Sequence, residues 1–81
     1  MNIYVGNLSK EVSEDDLRDA FEPFGQITSI KIIKDKFTAE SRGFGFIEMP
    51  ENQEAKSAME KLNGAELKDK TIVVNEARSR A

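Results

Sequence analysis

Apolar residues recur along the chain with two alternating periods, one suited to strands and one to helices. Ile3 and Val5 flank Tyr4 in a short β-prone run, which Gly6-Asn7 closes as a turn signal. Val12, Leu17, Ala20, Phe21 and Phe24 then recur at helical spacing with charges between them. Ser13 stands in the N-cap place, with Asp16 three residues on and Glu14 and Asp15 in the first turn. There the side-chain oxygen accepts a free backbone N–H and the carboxylates offset the helix dipole. Gly25 fits the position just past the helix end, so a first helix is predicted over residues 13–23.

The β-branched stretch 27–33 predicts a second strand, the polar stretch 35–42 a loop, and 43–49 a third strand that Pro50 ends. Asn52 is expected to cap a second helix whose apolar stripe is Ala55, Ala58, Met59 and Leu62, terminated by Asn63-Gly64. Residues 71–75 read as a fourth strand. The order is strand, helix, strand, strand, helix, strand. It predicts an α+β, ferredoxin-like βαββαβ fold, a four-stranded antiparallel sheet with two helices packed on one face.

Side chains alternate between the two faces of a strand. If Ile3, Val5, Ile30, Ile32, Ile47, Ile72 and Val74 point into the core, the opposite parity leaves another set on the helix-free face. That set is Asn2, Tyr4 and Gly6, then Lys31 and Ile33, then Arg42, Phe44, Phe46 and Glu48, then Val73 and Asn75. Any one of these residues alone would be an ordinary packing or solvated side chain. Phe44 and Phe46, two apart, must share a face, and Ile47 and Met49 already supply the core side. An open sheet face carrying three aromatics marks a binding surface. Aromatic rings flanked by Lys and Arg can stack bases while the cations meet phosphates. Gly6 is expected to let a ligand approach the sheet, and Gly43 and Gly45 to let strand and helix pack tightly. Phe21 and Phe24 belong to the helix stripe and read as core.

Composition narrows the chemistry. The 81 residues suit one domain and include no cysteine and no histidine. Disulfides, Cys/His zinc sites, cysteine nucleophiles and histidine general bases are therefore excluded, and serine triads with them. No cofactor, metal or enzymatic activity is expected. The net charge of −3 argues against a nucleic-acid partner only as an average. Residues 1–25 carry a balance of −4 and residues 51–64 a balance of −1, whereas 26–50 and 65–81 each carry +1. The acidity falls on the first helix, and the strands and loops are mildly basic. With no long apolar run and no signal-peptide pattern at the start, the expectation is a soluble, cytoplasmic protein, nuclear if the source is eukaryotic.

Two segments carry a family resemblance. Ile3-Tyr4-Val5-Gly6-Asn7-Leu8 resembles the first-strand hexamer of the RNA recognition motif. Arg42-Gly43-Phe44-Gly45-Phe46-Ile47-Glu48-Met49 resembles its third-strand octamer. Each lies on the expected strand and in the expected order, and the resemblance covers essentially the whole chain. Ile47 for Val is a conservative core change. Met49 replaces the preferred Phe or Tyr at a position that parity puts inside. The chain is similar to small stand-alone bacterial RNA-binding proteins and, less closely, to the head of eukaryotic glycine-rich ones.

The resemblance implies that Tyr4 and Phe44 stack on successive bases and that Phe46 contacts the sugars between them. It implies that Arg42 pairs with a phosphate and that Asn75, with the segment through Ala77 and Arg78, hydrogen-bonds base edges. Asn2 and Lys31 complete the expected site. The expected partner is single-stranded RNA, and single-stranded DNA as well because stacking ignores the 2′-hydroxyl. The protein is expected to be a monomer, with residues 1–77 as the domain and 78–81 as a short basic tail. Two rival readings differ in class. A protein–protein interaction module on the same fold would use the aromatic face or the acidic helix. An enzyme of this topology, such as an acylphosphatase, would need a phosphate-cradling glycine loop leading into a helix, and the sequence has none.

Overall fold

The computed structural model describes residues 1–38 and 41–77, apart from the side chains of Ser41 and Arg42. Its elements are β1 (Asn2–Gly6), α1 (Glu14–Phe21) with a 3-10 turn (Glu22–Phe24), β2 (Ser29–Lys34) and β3 (Ser41–Glu48). These are followed by α2 (Asn52–Leu62), β4 (Glu66–Leu67), β5 (Lys70–Thr71) and β6 (Val73–Glu76). The main sheet has the order β2-β3-β1-β6 with every pair antiparallel. This is the expected ferredoxin-like α+β arrangement. No helix among the described residues is long and apolar enough to cross a membrane.

The capping of α1 follows the sequence. Ser13 Oγ accepts the Asp16 N–H at 3.2 Å, and Asp16 Oδ2 accepts the Ser13 N–H at 2.8 Å. The reciprocal pair satisfies two backbone donors that a helix start leaves orphaned. The Asp16 carboxyl is held below its ordinary value, chiefly by that Ser13 backbone hydrogen bond, with Ser13 Oγ–H and Lys68 at 3.8 Å adding to it. The helix is shorter than expected, because Pro23 falls within a 3-10 turn over Glu22–Phe24 that takes its last two predicted residues. The second helix starts from Glu51 as N-cap, with no side-chain hydrogen bond, so Asn52 is its first helical residue and caps nothing.

The core lies between the sheet and the helices. Ile3, Val5, Ile47, Ile72, Val74, Leu17, Phe21, Ala55 and Ala58 are buried in it, with Met49 completely enclosed. Of the expected inward residues only Ile30 is half-buried, and it and Phe24 pack against this cluster from its rim.

The end of the chain departs from the expected single strand over 71–75. Lys70–Thr71 pairs instead with Glu66–Leu67 in a small separate hairpin, turned by Lys68 (φ 50°) and Asp69 (φ 68°). Ile72 leaves the ladder between the two strands. Its N–H donates to Ala65 O at 2.8 Å and its carbonyl accepts the Gly64 N–H at 2.9 Å, which seats the side chain in the core. The main-sheet strand begins only at Val73. β3 begins two residues earlier than expected and carries a bulge. Ile32 faces Gly45 whereas Lys34 faces Ser41, so β3 spends two extra residues there, with Gly43 at φ 86°.

Candidate nucleic-acid interface

The helix-free face is organised by register. Asn75, Tyr4, Phe46 and Lys31 form one row across β6, β1, β3 and β2, and Val73, Gly6 and Phe44 form the next. Directly opposed residues stand ~4.5–5.5 Å apart at Cβ, close enough for large rings to touch. The three rings do meet. Tyr4 and Phe44 have centroids 6.1 Å apart and are inclined at 31°. Phe46 stands edge-on to both, at 6.0 Å and 62° from Tyr4 and at 6.2 Å and 86° from Phe44. The result is a triangle of rings, two inclined at a shallow angle to each other and the third edge-on to both.

The rings and their neighbours differ in exposure. Phe46 is 36% exposed and Val73 42%, while Tyr4 and Phe44 are half-buried. Asn2, Lys31, Glu48 and Asn75 are exposed around them. Ala77 is half-buried, and its N–H donates to Asn2 O at 2.9 Å. The structure therefore brings Asn2, Tyr4, Lys31, Phe44, Phe46 and Asn75 onto one face, with Ala77 at its rim. The Arg42 side chain and Arg78 lie outside the described residues.

The glycines act differently from expectation. A Cβ on Gly6 would stand 2.8 Å from Cε2 and Cζ of Tyr4, because the Tyr4 ring itself lies over that glycine. Gly6 thus makes room for a ring of the platform, where a ligand had been expected. A Cβ on Gly45 would stand 2.5 Å from Lys31 O and 3.1 Å from Ile32 Cα, so the neighbour that requires this glycine is β2 and not a helix. Gly43 provides the positive φ of the bulge, and its carbonyl accepts the Leu8 N–H at 2.8 Å.

Sequence reasoning missed one conspicuous residue. Phe37, in the polar stretch after β2, is 96% exposed. The signal was available: an aromatic among charges, with no apolar partner at either period.

A two-layer α+β sandwich with an uncovered sheet face and a ring platform on its two central strands defines a class of small nucleic-acid-binding domains. The chain belongs to the RNA recognition motif family, whose model matches residues 3–73. It is 42% identical over 80 residues to the putative RNA-binding protein RbpE of Nostoc, covering 99% of this chain and 81% of that one. It is 43% identical over 74 residues to the cytotoxic granule-associated RNA binding protein tiar-1 of Caenorhabditis elegans, covering 91% of this chain but only 18% of the worm protein. Among solved structures, RNA binding protein PG1 superposes with a TM-score of 0.95 at 43% identity, over 100% of this chain and 98% of PG1. A Sex-lethal protein in complex with RNA superposes at 0.88 with 31% identity, over 94% of this chain and 47% of that one.

Proposed function

We propose that this protein binds single-stranded RNA across the open sheet face and catalyses no reaction. The observation that carries the reading is the ring triangle of Tyr4, Phe44 and Phe46 on the face the helices leave uncovered. Tyr4 and Phe44 stack successive bases, and the upright Phe46 bears on the sugars between them. Asn2, Asn75 and the backbone about Ala77 line the rim, where base edges can be hydrogen-bonded. Lys31 lies beside Phe46 to meet a phosphate, with Arg42 and Arg78 as further phosphate or base contacts. Single-stranded DNA uses the same surface, since stacking does not involve the 2′-hydroxyl. Residues 1–77 act as the binding unit, as a monomer in the cytoplasm or, in a eukaryote, the nucleus. RNA-named relatives and an RNA-bound structural neighbour support this reading.

Two stacked bases supply roughly 2–6 kcal/mol gross, to which the sugar contact of Phe46 adds and from which ordering costs are subtracted. The expected dissociation constant is therefore about micromolar. About three phosphate contacts give a log–log salt slope near −2 for a single strand. The test is fluorescence anisotropy with a labelled random-sequence RNA, comparing the wild type with a Tyr4→Ala/Phe44→Ala double variant shown to remain folded. Binding that collapses in the variant is the expected result. Equal binding by both proteins, or none at low salt, would favour a protein-interaction module instead.

A further inference from the structure

The helix-free face carries a further row beside the one that holds Tyr4 and Phe46. In the strand register Glu48 on β3 stands between Asn2 on β1 and Ser29 on β2. The step from the ring row to this one is ~7 Å along each strand. Strand parity puts Asn2, Glu48 and Ser29 on the same side as the rings, and all of them are exposed. The Tyr4 ring leans the other way, over Gly6, so it does not roof this row. One end of the aromatic platform therefore opens onto a strip of hydrogen-bonding side chains.

Glu48 is the unexpected member of that strip, because a carboxylate repels the phosphates of an RNA strand. Among the described residues it forms no ion pair, and its side chain accepts one hydrogen bond, from the Thr28 hydroxyl to Oε1 at 3.2 Å. The same hydroxyl reaches the Glu48 carbonyl at 3.2 Å, and the Thr28 N–H donates to that carbonyl at 2.9 Å. An ionised carboxylate has about four acceptor sites on its two oxygens. Most of this capacity is open to whatever lies on the platform.

A group that only accepts calls for a ligand edge made of donors, and the bases differ there. Guanine presents N1–H and the N2 amino group side by side, with the O6 acceptor next to them. Cytosine and adenine set an amino group beside a bare ring nitrogen, and uracil sets N3–H between two carbonyls. In each of those the carboxylate would face a lone pair. Only guanine can give both carboxylate oxygens a hydrogen bond, in the paired geometry that makes such contacts strong. The Asn2 amide, directly opposite Glu48, has no partner among the described residues and can donate to O6.

We propose that Glu48, with Asn2 beside it, reads the pairing edge of the nucleotide that borders Tyr4 and Phe46 and selects guanine there. The selection rests on the sheet face being the RNA site, and it gives that site a sequence preference.

The test titrates the wild type and Glu48→Gln with labelled oligouridines about five nucleotides long, enough for the two to three bases such a sheet stacks. Each strand carries a central guest, which is guanosine, inosine, cytidine, adenosine or a further uridine. The wild type should bind the guanosine strand about five- to a hundred-fold more tightly than the all-uridine strand. Inosine keeps N1–H and O6 but lacks the N2 amino group, and should lose most of that margin. Glu48→Gln replaces one acceptor with a donor at the same size. It should lose the preference for guanosine yet bind the all-uridine strand at least as tightly as the wild type, because a repelling charge has gone. Thermal unfolding should be the same for both proteins, since the side chain is exposed and Gln can still accept from Thr28. Equal wild-type affinity for the guanosine and all-uridine strands overturns the assignment and leaves the sheet-face site standing. Inosine matching guanosine overturns the two-donor contact, and a cytidine or adenosine strand bound best overturns guanine as the base read. An unchanged preference in Glu48→Gln, or an equal loss on every strand, overturns Glu48 as the reader. If the wild type binds no strand, the sheet-face reading itself falls, and the selection with it.

Discussion

The two faces of the sheet are made from alternate residues of the same strands, and they meet opposite conditions. On β3, Ile47 is fully enclosed, and its chain neighbour Phe46 is 36% exposed. On β1, Ile3 and Val5 are fully enclosed, while Tyr4 between them is only half-buried and rests on other rings of the open face. The inner residues touch helix side chains and contribute stability by leaving water. The outer residues touch each other and keep one side free. Stability and binding should therefore separate along a single strand, one residue at a time.

The largest expected effect comes from breaking the inner face. Ile47→Ala should cost about 2–5 kcal/mol of stability in denaturant unfolding, with RNA affinity unchanged while the protein remains folded. Gly45→Ala sets a methyl group against the β2 backbone at Lys31, which cannot swing aside as a side chain would. A loss of about 1–3 kcal/mol is expected, since overpacking a close-fitted site costs that much. A wild-type unfolding midpoint for Gly45→Ala would mean that β2 yields.

Gly6→Ala sharpens the comparison from the other side. The added methyl meets the far end of the Tyr4 ring, which can tilt away. Unfolding should change little, and RNA affinity should fall by up to the ~1–3 kcal/mol that one stacked base is worth. Unchanged affinity would show that the ring's resting position is unimportant to binding.

The smallest effect concerns the start of α1. The Asp16 carboxyl is held below its ordinary value in the folded protein, so the unfolded chain binds its proton more readily. The stability it supplies is complete above the ordinary value and is lost as pH falls through the lowered one. Unfolding midpoints followed from neutral pH into the acid range should show a small downward step that Asp16→Asn lacks. RNA affinity at neutral pH should be the same for both proteins.

Much of this architecture is legible in the letters. Period two in β1 and β3 assigned their faces, because a strand with one buried side has no other register open to it. The Ser13 cap was readable because its partner lies within one turn. Features that depend on contacts between distant residues were not readable. The hairpin of Glu66–Leu67 with Lys70–Thr71 was missed because Lys68 and Asp69 adopt left-handed conformations without the Asn-Gly or Asp-Gly pair that usually announces such a turn. Ile72 was placed in a continuous strand because its break is made by hydrogen bonds to Gly64 and Ala65. The glycines were recognised as tight positions, but what they are tight against is a matter of register and rotamer. Phe37 was passed over because a single ring in a polar stretch has no periodicity to flag it.

Among the described residues, the strand order β2-β3-β1-β6 leaves β2 and β6 with one unpaired side each. Beside an uncovered aromatic surface, such an edge is a template on which a second molecule could add its own strand. Lys31 and Lys34 stand along β2 and would add like charges to a β2–β2 pairing. Charge along an edge strand opposes such pairing, so these lysines stand where they would discourage it. Neutralising them would weaken RNA binding and invite self-association, so the surface that attracts one polymer is the surface that deters another.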